Sequence, residues 1–298
     1  MRKLTADRIY PVATPPVDNG VIILDHEGRV MELAHADDFD RSELEYHHGV
    51  IVPGFVNAHC HLELSHMKGK VATGTGLIPF ITSVVRQRAA SDEVIADAIR
   101  AADEEMYDNG IVAVGDISNT TDTFRQKSVS RLRYYTFVEM FDFLQNDRAD
   151  TCFEQYHAVY EALTLQQGHR KACVPHAPYT VSPSLFRRIN TFHAGGLHTI
   201  SIHNQEMEPE NALFRDKTGA LIDFYAGFDI SLDGFTAIGA GSINYAMEYL
   251  DPCQRTLLVH NTLTTRAEAE AAHAWSDQVY WATCPNANLY IENRLPDY

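Results

Sequence analysis

Three features of this 298-residue chain predict an α/β fold: a (β/α)8 barrel of the TIM type that stops before its eighth strand, preceded by a small N-terminal β-sandwich module. From residue 51 onward, apolar strand-like runs alternate with helix-length amphipathic segments, the pattern of βα units around a parallel sheet. Earlier residues read as short strands and turns only. Polar residues, histidines above all, recur at strand ends, where a barrel of this kind carries its chemistry. The expected division is residues 1–50 for the β module and residues 51–298 for seven of the eight barrel units.

In the first fifty residues, Ile9-Tyr10-Pro11-Val12 and the apolar run Val21–Leu24 read as strands. Asp25–Arg29 reads as a hairpin turn leading into Val30–Leu33. Seven barrel strands are then expected, at Val50–Ala58, Ile111–Ile117, Tyr134–Met140, Ala172–His176, Thr199–His203, Thr256–His260 and Gln278–Thr283. Ser91–Asn109 and Arg148–Gln167 have helical periodicity with polar faces. Gly110 stands just past the first of these, where a helix-terminating glycine belongs. No repeat, low-complexity tract or long linker interrupts the chain.

Composition narrows the function. The 40 acidic residues outnumber the 24 basic ones, for a net charge of −16. Binding nucleic acid or an anionic membrane needs a basic surface, so neither is an expected partner. No run approaches the ~18 apolar residues of a membrane helix, and the charged start lacks the apolar stretch of a secretory signal. Five cysteines are scattered without a Cys-x-x-Cys pair, which suits reduced thiols in a cytoplasmic protein.

The most informative stretch is Val52-Pro53-Gly54-Phe55-Val56-Asn57-Ala58-His59-Cys60-His61-Leu62-Glu63. Side chains on a strand alternate faces, so His59 and His61 point one way and Cys60 the other. Two imidazoles on one face at a strand end suit zinc or iron, although a bare His-x-His is equally a surface pair. Further polar groups at other strand ends decide for a metal-centred site: Asp116, Glu139, His176, His203 and His260. His61-Leu62-Glu63 matches the H-x-E half of the cytidine-type zinc deaminases, but the P-C-x-x-C half is missing.

Taken in order, these pieces resemble the amidohydrolase superfamily, in the metal-dependent deaminase and chlorohydrolase branch that includes cytosine, guanine and S-adenosylhomocysteine deaminases. The resemblance covers essentially the whole chain. It rests on the stretch ending at Glu63, Asn109–Asp116, His176-Ala177-Pro178-Tyr179-Thr180-Val181-Ser182, His203-Asn204-Gln205-Glu206, Val259-His260-Asn261-Thr262 and Cys284-Pro285-Asn286-Ala287-Asn288. It implies that His59, His61 and His203 are metal ligands and Glu206 the proton shuttle. It implies further that His260 orients the water and His176 polarises the substrate. Glu206 also suits a helix N-terminus as a simple acid near the macrodipole.

Binuclear members carry a carboxylated lysine at the end of the fourth strand; here Lys171 stands at its beginning, so one divalent ion is expected, zinc first and iron or manganese as alternatives. Glu63 and His66, in Glu63–Gly69, are expected at the substrate mouth, with a structural hydrogen bond as the other reading of Glu63.

The chain departs from the family at its end. The last metal ligand of the family is an eighth-strand aspartate, and the sequence stops at Arg294-Leu295-Pro296-Asp297-Tyr298 before such a strand. Asp297 is not assigned that role. A fragment of a longer product is the favoured explanation, a degenerate open barrel the other; either is expected to bind metal weakly and to be impaired in catalysis.

The expected activity is deamination of an amino-substituted nitrogen heterocycle, free base or nucleoside-like, by a metal-activated water. Aminofutalosine is one substrate the resemblance leaves open. The alternatives are hydrolysis of a ring C–Cl or cyclic amide bond, or a non-catalytic metal-binding protein. A homodimer is compatible with all of these.

Overall fold

The computed structural model describes residues 1–166 and 168–297. It falls into two compact units, Met1–Phe55 and the residues from Val56 onward.

The first unit is a five-stranded sheet of β1 (Arg2–Ile9), β2 (Val17–Asp18), β3 (Gly20–Leu24), β4 (Val30–His35) and β5 (Glu45–Ile51). Strand β1 runs antiparallel to β2 and β3 and parallel to β5, while β3 pairs antiparallel with β4. The β3–β4 turn forms because Asp25 accepts hydrogen bonds from the Glu27 and Arg29 amides through Oδ1. Gly28 supplies the positive φ that this tight reversal needs. The sequence placed the first strand at Ile9–Val12, but it runs earlier. Thr5, Ala6 and Ile9 turn inward, while Arg2 and Arg8 pair outside with Glu45 and Asp18.

Among the described residues the second unit holds seven strands: β6 (Phe55–Cys60), β7 (Ile111–Ile117), β8 (Arg133–Met140), β9 (Arg170–Pro175), β10 (Thr199–Asn204), β11 (Arg255–His260) and β12 (Val279–Ala282). They form the hydrogen-bonded orders β6-β7-β8-β9 and β10-β11-β12. Parallel pairing is seen for β7–β8–β9 and β10–β11–β12. The two runs meet where the His203 amide donates to the His176 carbonyl at 2.9 Å.

The run expected at Val50–Ala58 is two strands, β5 and β6. Pro53-Gly54 separates them, since proline offers no N–H to a ladder and glycine weakens one.

Helices connect the strands. They are α1 (Leu77–Gln87), α2 (Asp92–Asp108), α3 (Phe124–Lys127), α4 (Ala149–Ala162), α5 (Pro183–Phe192), α6 (Glu208–Asp216), α7 (Ala220–Ala226), α8 (Ser242–Tyr249), α9 (Arg266–Trp275) and α10 (Pro285–Glu292). Helix α2 starts at the Ser91 cap, whose side chain accepts from the Val94 amide. It ends before Gly110, at φ 81°. Helix α4 stops at Ala162, short of the expected Gln167, a residue outside those described.

Alternate residues of β8–β11, such as Val138, Met140, Val174 and Ile202, pack against Phe153, Leu185, Phe186 and Phe214 of α4, α5 and α6. Cys60, which alternates away from the histidines, packs with Leu62, Ile99, Val114, Leu132 and Tyr134 in a smaller apolar cluster.

Candidate metal centre

The histidines meet at the carboxyl ends of the strands. His59 from β6 and His61 just beyond it bring their Nε2 atoms to 3.1 Å, and His61 Nε2 lies 3.2 Å from Nε2 of His203 on β10. These three residues form a group able to hold a metal ion. Nitrogens bound to one tetrahedral zinc at ~2.0–2.1 Å are about 3.3 Å apart, so the observed spacing fits a shared cation.

The orientation of His203 fits as well. Its Nδ1 donates to the His176 carbonyl at 2.9 Å and lies 3.1 Å from the Glu139 carboxylate. In the neutral ring that leaves Nε2 with its lone pair toward His61, the arrangement in which a carbonyl or carboxylate behind the ring orients a ligating imidazole.

Burial, reinforced by the neighbouring imidazoles, holds His59, His61 and His176 well below the usual histidine range, in the neutral form a metal requires. His203 differs. Burial pushes it down too, but the carboxylates of Glu139 and Glu206 outweigh that and raise it to about 9. The same negative charge is placed to balance a cation.

Glu206 and His260 stand beside this group. The Glu206 Oε2 atom lies 3.6 Å from His260 Nε2, and both side chains are buried. A short segment fixes Glu206. Gln205 takes a left-handed turn at φ 46° as the chain leaves β10, and the Glu210 carboxylate accepts the Gln205 amide at 3.0 Å and the Glu206 amide at 3.1 Å. The Gln205 side chain is held in turn by Asn211, Glu268 and Thr264. His176 lies with its ring centroid 4.8 Å from that of His203, and its Nδ1 is 2.8 Å from Thr180 Oγ1.

Glu63 and His66 are not brought into the imidazole cluster. Glu63 Oε2 accepts from the Asn119 and Thr120 amides and the Thr120 hydroxyl, and burial raises this carboxyl above its ordinary value. His66 Nε2 donates to the Arg88 carbonyl at 2.8 Å. Both residues tie the loop after β6 to neighbouring segments. Lys171 donates to the Tyr160 and Leu163 carbonyls at the end of α4.

Asp116 and Glu139, seen in the sequence only as polar residues at strand ends, and Lys127, not singled out there, carry further weight. Asp116 Oδ1 accepts the Leu62 amide at 2.8 Å, immediately after His61. Its other oxygen pairs with Lys127 at 2.6 Å, both side chains being almost wholly buried. Lys127 also donates to Ser118 and Thr136. A lysine inside a four-residue helix gives no periodic signal of burial.

A family model described as the amidohydrolase family matches residues 50–297. The chain belongs to the amidohydrolase family. Among curated relatives of this amidohydrolase, an adenosine deaminase of Helicobacter pylori is 24% identical over 290 residues, spanning 94% of this chain and 68% of the relative. An aminodeoxyfutalosine deaminase of Deinococcus radiodurans is 27% identical over 312 residues, spanning 98% and 71%. Among solved structures, H. pylori aminofutalosine deaminase in complex with methylthio-coformycin superimposes with a TM-score of 0.82 at 20% identity, covering 100% of this chain and 73% of that one. That likeness shows the shared fold, a TIM-barrel type. No helix among the described residues is long and apolar enough to cross a membrane.

Proposed function

We propose that this amidohydrolase is a metal-dependent deaminase of an adenosine-like substrate. The observation that carries the proposal is the convergence of three imidazole Nε2 atoms with a buried carboxylate and a fourth imidazole beside them. The curated relatives, deaminases by name, support the substrate class.

His59, His61 and His203 would hold one divalent ion, zinc first in line. The chemistry supplied there when the ion is bound is Lewis-acid activation of water near neutral pH. The remaining roles belong to the chain. Glu206 takes a proton from the attacking water and delivers it to the ring nitrogen or the departing amine. The C–O bond forms, the C–N bond breaks, and ammonia leaves with the protons drawn from water. His260 Nε2, beside Glu206, orients the water, and His176 faces the charge that develops on the substrate. Burial of His203, Glu206 and His260 limits competition from bulk water.

Glu63, whose Oε1 faces Arg88 Nη2 at 3.9 Å, and His66, which braces the same loop, would stand at the substrate mouth. In this reading the seven strands are seven units of an eight-unit barrel, Met1–Phe55 belongs to a β-sandwich module, and the enzyme works in the cytoplasm.

The test is ammonia release by the purified, zinc-loaded chain from adenosine and from adenosines altered at the 5′ position, with metal content measured on the same sample. Ammonia formed with about one equivalent of metal is the expected result. Full metal occupancy without ammonia from any of them, but with chloride release from a chlorinated triazine, would replace deamination by chlorohydrolysis.

A further inference from the structure

The segment Cys284-Pro285-Asn286-Ala287-Asn288 has no part in the chemistry described so far, yet it delivers one side chain to His260. Cys284 precedes α10 and Pro285 opens it, which proline's fixed φ favours. One turn on, Asn288 is fully buried, with its amide bonded to the Cys284 carbonyl at 2.8 Å. Its Oδ1 lies 2.8 Å from His260 Nδ1, and its Nδ2 lies 3.5 Å from the His260 carbonyl oxygen.

We infer that Asn288 is a positioning residue that fixes the tautomer of His260, with the proton on Nδ1 and the lone pair on Nε2. The side-chain amide of Asn288 decides the tautomer. As oriented, its NH2 faces the carbonyl and its oxygen can only accept, so Nδ1 must carry the hydrogen. Turned over, the amide oxygen would face the His260 carbonyl oxygen, acceptor against acceptor. His260 itself is held at φ 72°, with Asn261 at φ 55° beyond it. This left-handed pair costs energy for residues with a Cβ. The bond from Asn288 holds the ring in place at the end of that strained turn.

The consequence lies on the other side of the ring. His260 Nε2 and Glu206 Oε2 then face each other at 3.6 Å as two acceptors, too far apart for a direct bond. They require a donor between them, and a water can give one hydrogen to each, which turns its own lone pairs away from both. Its use in catalysis rests on the deaminase reading; the tautomer does not.

The experiment is two-bond 1H–15N correlation spectroscopy of the whole chain labelled at histidine, with H260Q used to assign the His260 signals. The expected spectrum shows a protonated Nδ1 and an unprotonated Nε2 for His260. N288D, which keeps an acceptor at this point, should preserve that pattern, and N288L should lose it.

In steady-state kinetics N288L should lose about 10–100-fold in kcat, as for loss of an orienting partner behind a histidine, with KM little changed. A wild-type spectrum with the His260 proton on Nε2 overturns the inference, as does an N288L protein that keeps the Nδ1 proton. If N288L does not fold, the wild-type and N288D spectra still decide. A correct tautomer in a chain that releases no ammonia leaves the inference standing and removes the deaminase reading.

Discussion

Replacing Lys127 by methionine tests whether the buried pair beneath the loop that follows His61 holds that loop in place. Lys127 places its ammonium 2.6 Å from Asp116 and donates further to Ser118 and Thr136. K127M removes all three contacts and leaves the carboxylate of Asp116, 0% exposed, without a counter-charge. Breaking one side of a buried pair costs about 3–5 kcal/mol, most of it from the stranded charge. The double variant D116N/K127M removes both charges. The side-chain oxygen of the introduced asparagine can still accept the Leu62 amide, so the loss should stay under about 2 kcal/mol.

Urea unfolding at pH 7 measures both variants, and a chelator competition on the zinc-loaded proteins reports on His61, the neighbour of Leu62. K127M is expected to lose both stability and metal affinity, and the double variant to regain most of each. K127M within about 1 kcal/mol of the parent, or a double variant as damaged as K127M, would refute the account, because the stranded charge would then not be the cause.

Other expectations concern the carboxylates. Burial raises Glu210 from the ordinary carboxyl value of 4.5 to about 7, against the pull of the Ser242 side chain and the Gln205 and Glu206 amides. The folded chain therefore binds this proton more tightly than the unfolded one. That contribution is complete below pH 4.5 and is lost as pH rises through 7, by up to about 3 kcal/mol. E210Q should flatten the urea midpoint across that window; an unchanged slope would place the pH dependence elsewhere. E206Q should lower kcat about 10²–10⁴-fold at unchanged metal content, and retention of full activity would remove Glu206 from proton transfer. E139Q weakens the acceptor behind His203 and should cost about 10–100-fold in metal affinity by chelator titration, whereas unaltered affinity would reduce Glu139 to a packing residue.

Much of the barrel was legible because strands such as β8, β9 and β10 are buried on both faces and the runs are bounded by punctuation. Ile111–Ile117 is a β-prone run entered through Gly110, and it is a strand over those same residues. Val50–Ala58 misled because it is apolar up to Asn57, and hydrophobicity alone does not show that Pro53-Gly54 divides it between two sheets. In β1 the signal was hidden by charge, since Arg2, Lys3 and Arg8 satisfy their partners at the surface. The imidazoles were found because histidine at strand ends is conspicuous. Glu210, Lys127 and Asn288 were not, because a buried polar side chain is defined by the partner that meets it across the fold. The placement of Glu210 four residues beyond Glu206 was the one available hint.

The span from His203 to Glu210 also bears on how this enzyme could be changed. Its carboxylate grips two consecutive amides, so the segment has a fixed length: one residue added or removed would turn Glu206 away or pull Glu210 out of reach. Insertions and recombination crossovers should therefore fail within these eight positions. New substrate preferences would have to be drawn from connections whose backbone is not counted residue by residue, and libraries that keep 203–210 intact can vary recognition without resetting the chemistry.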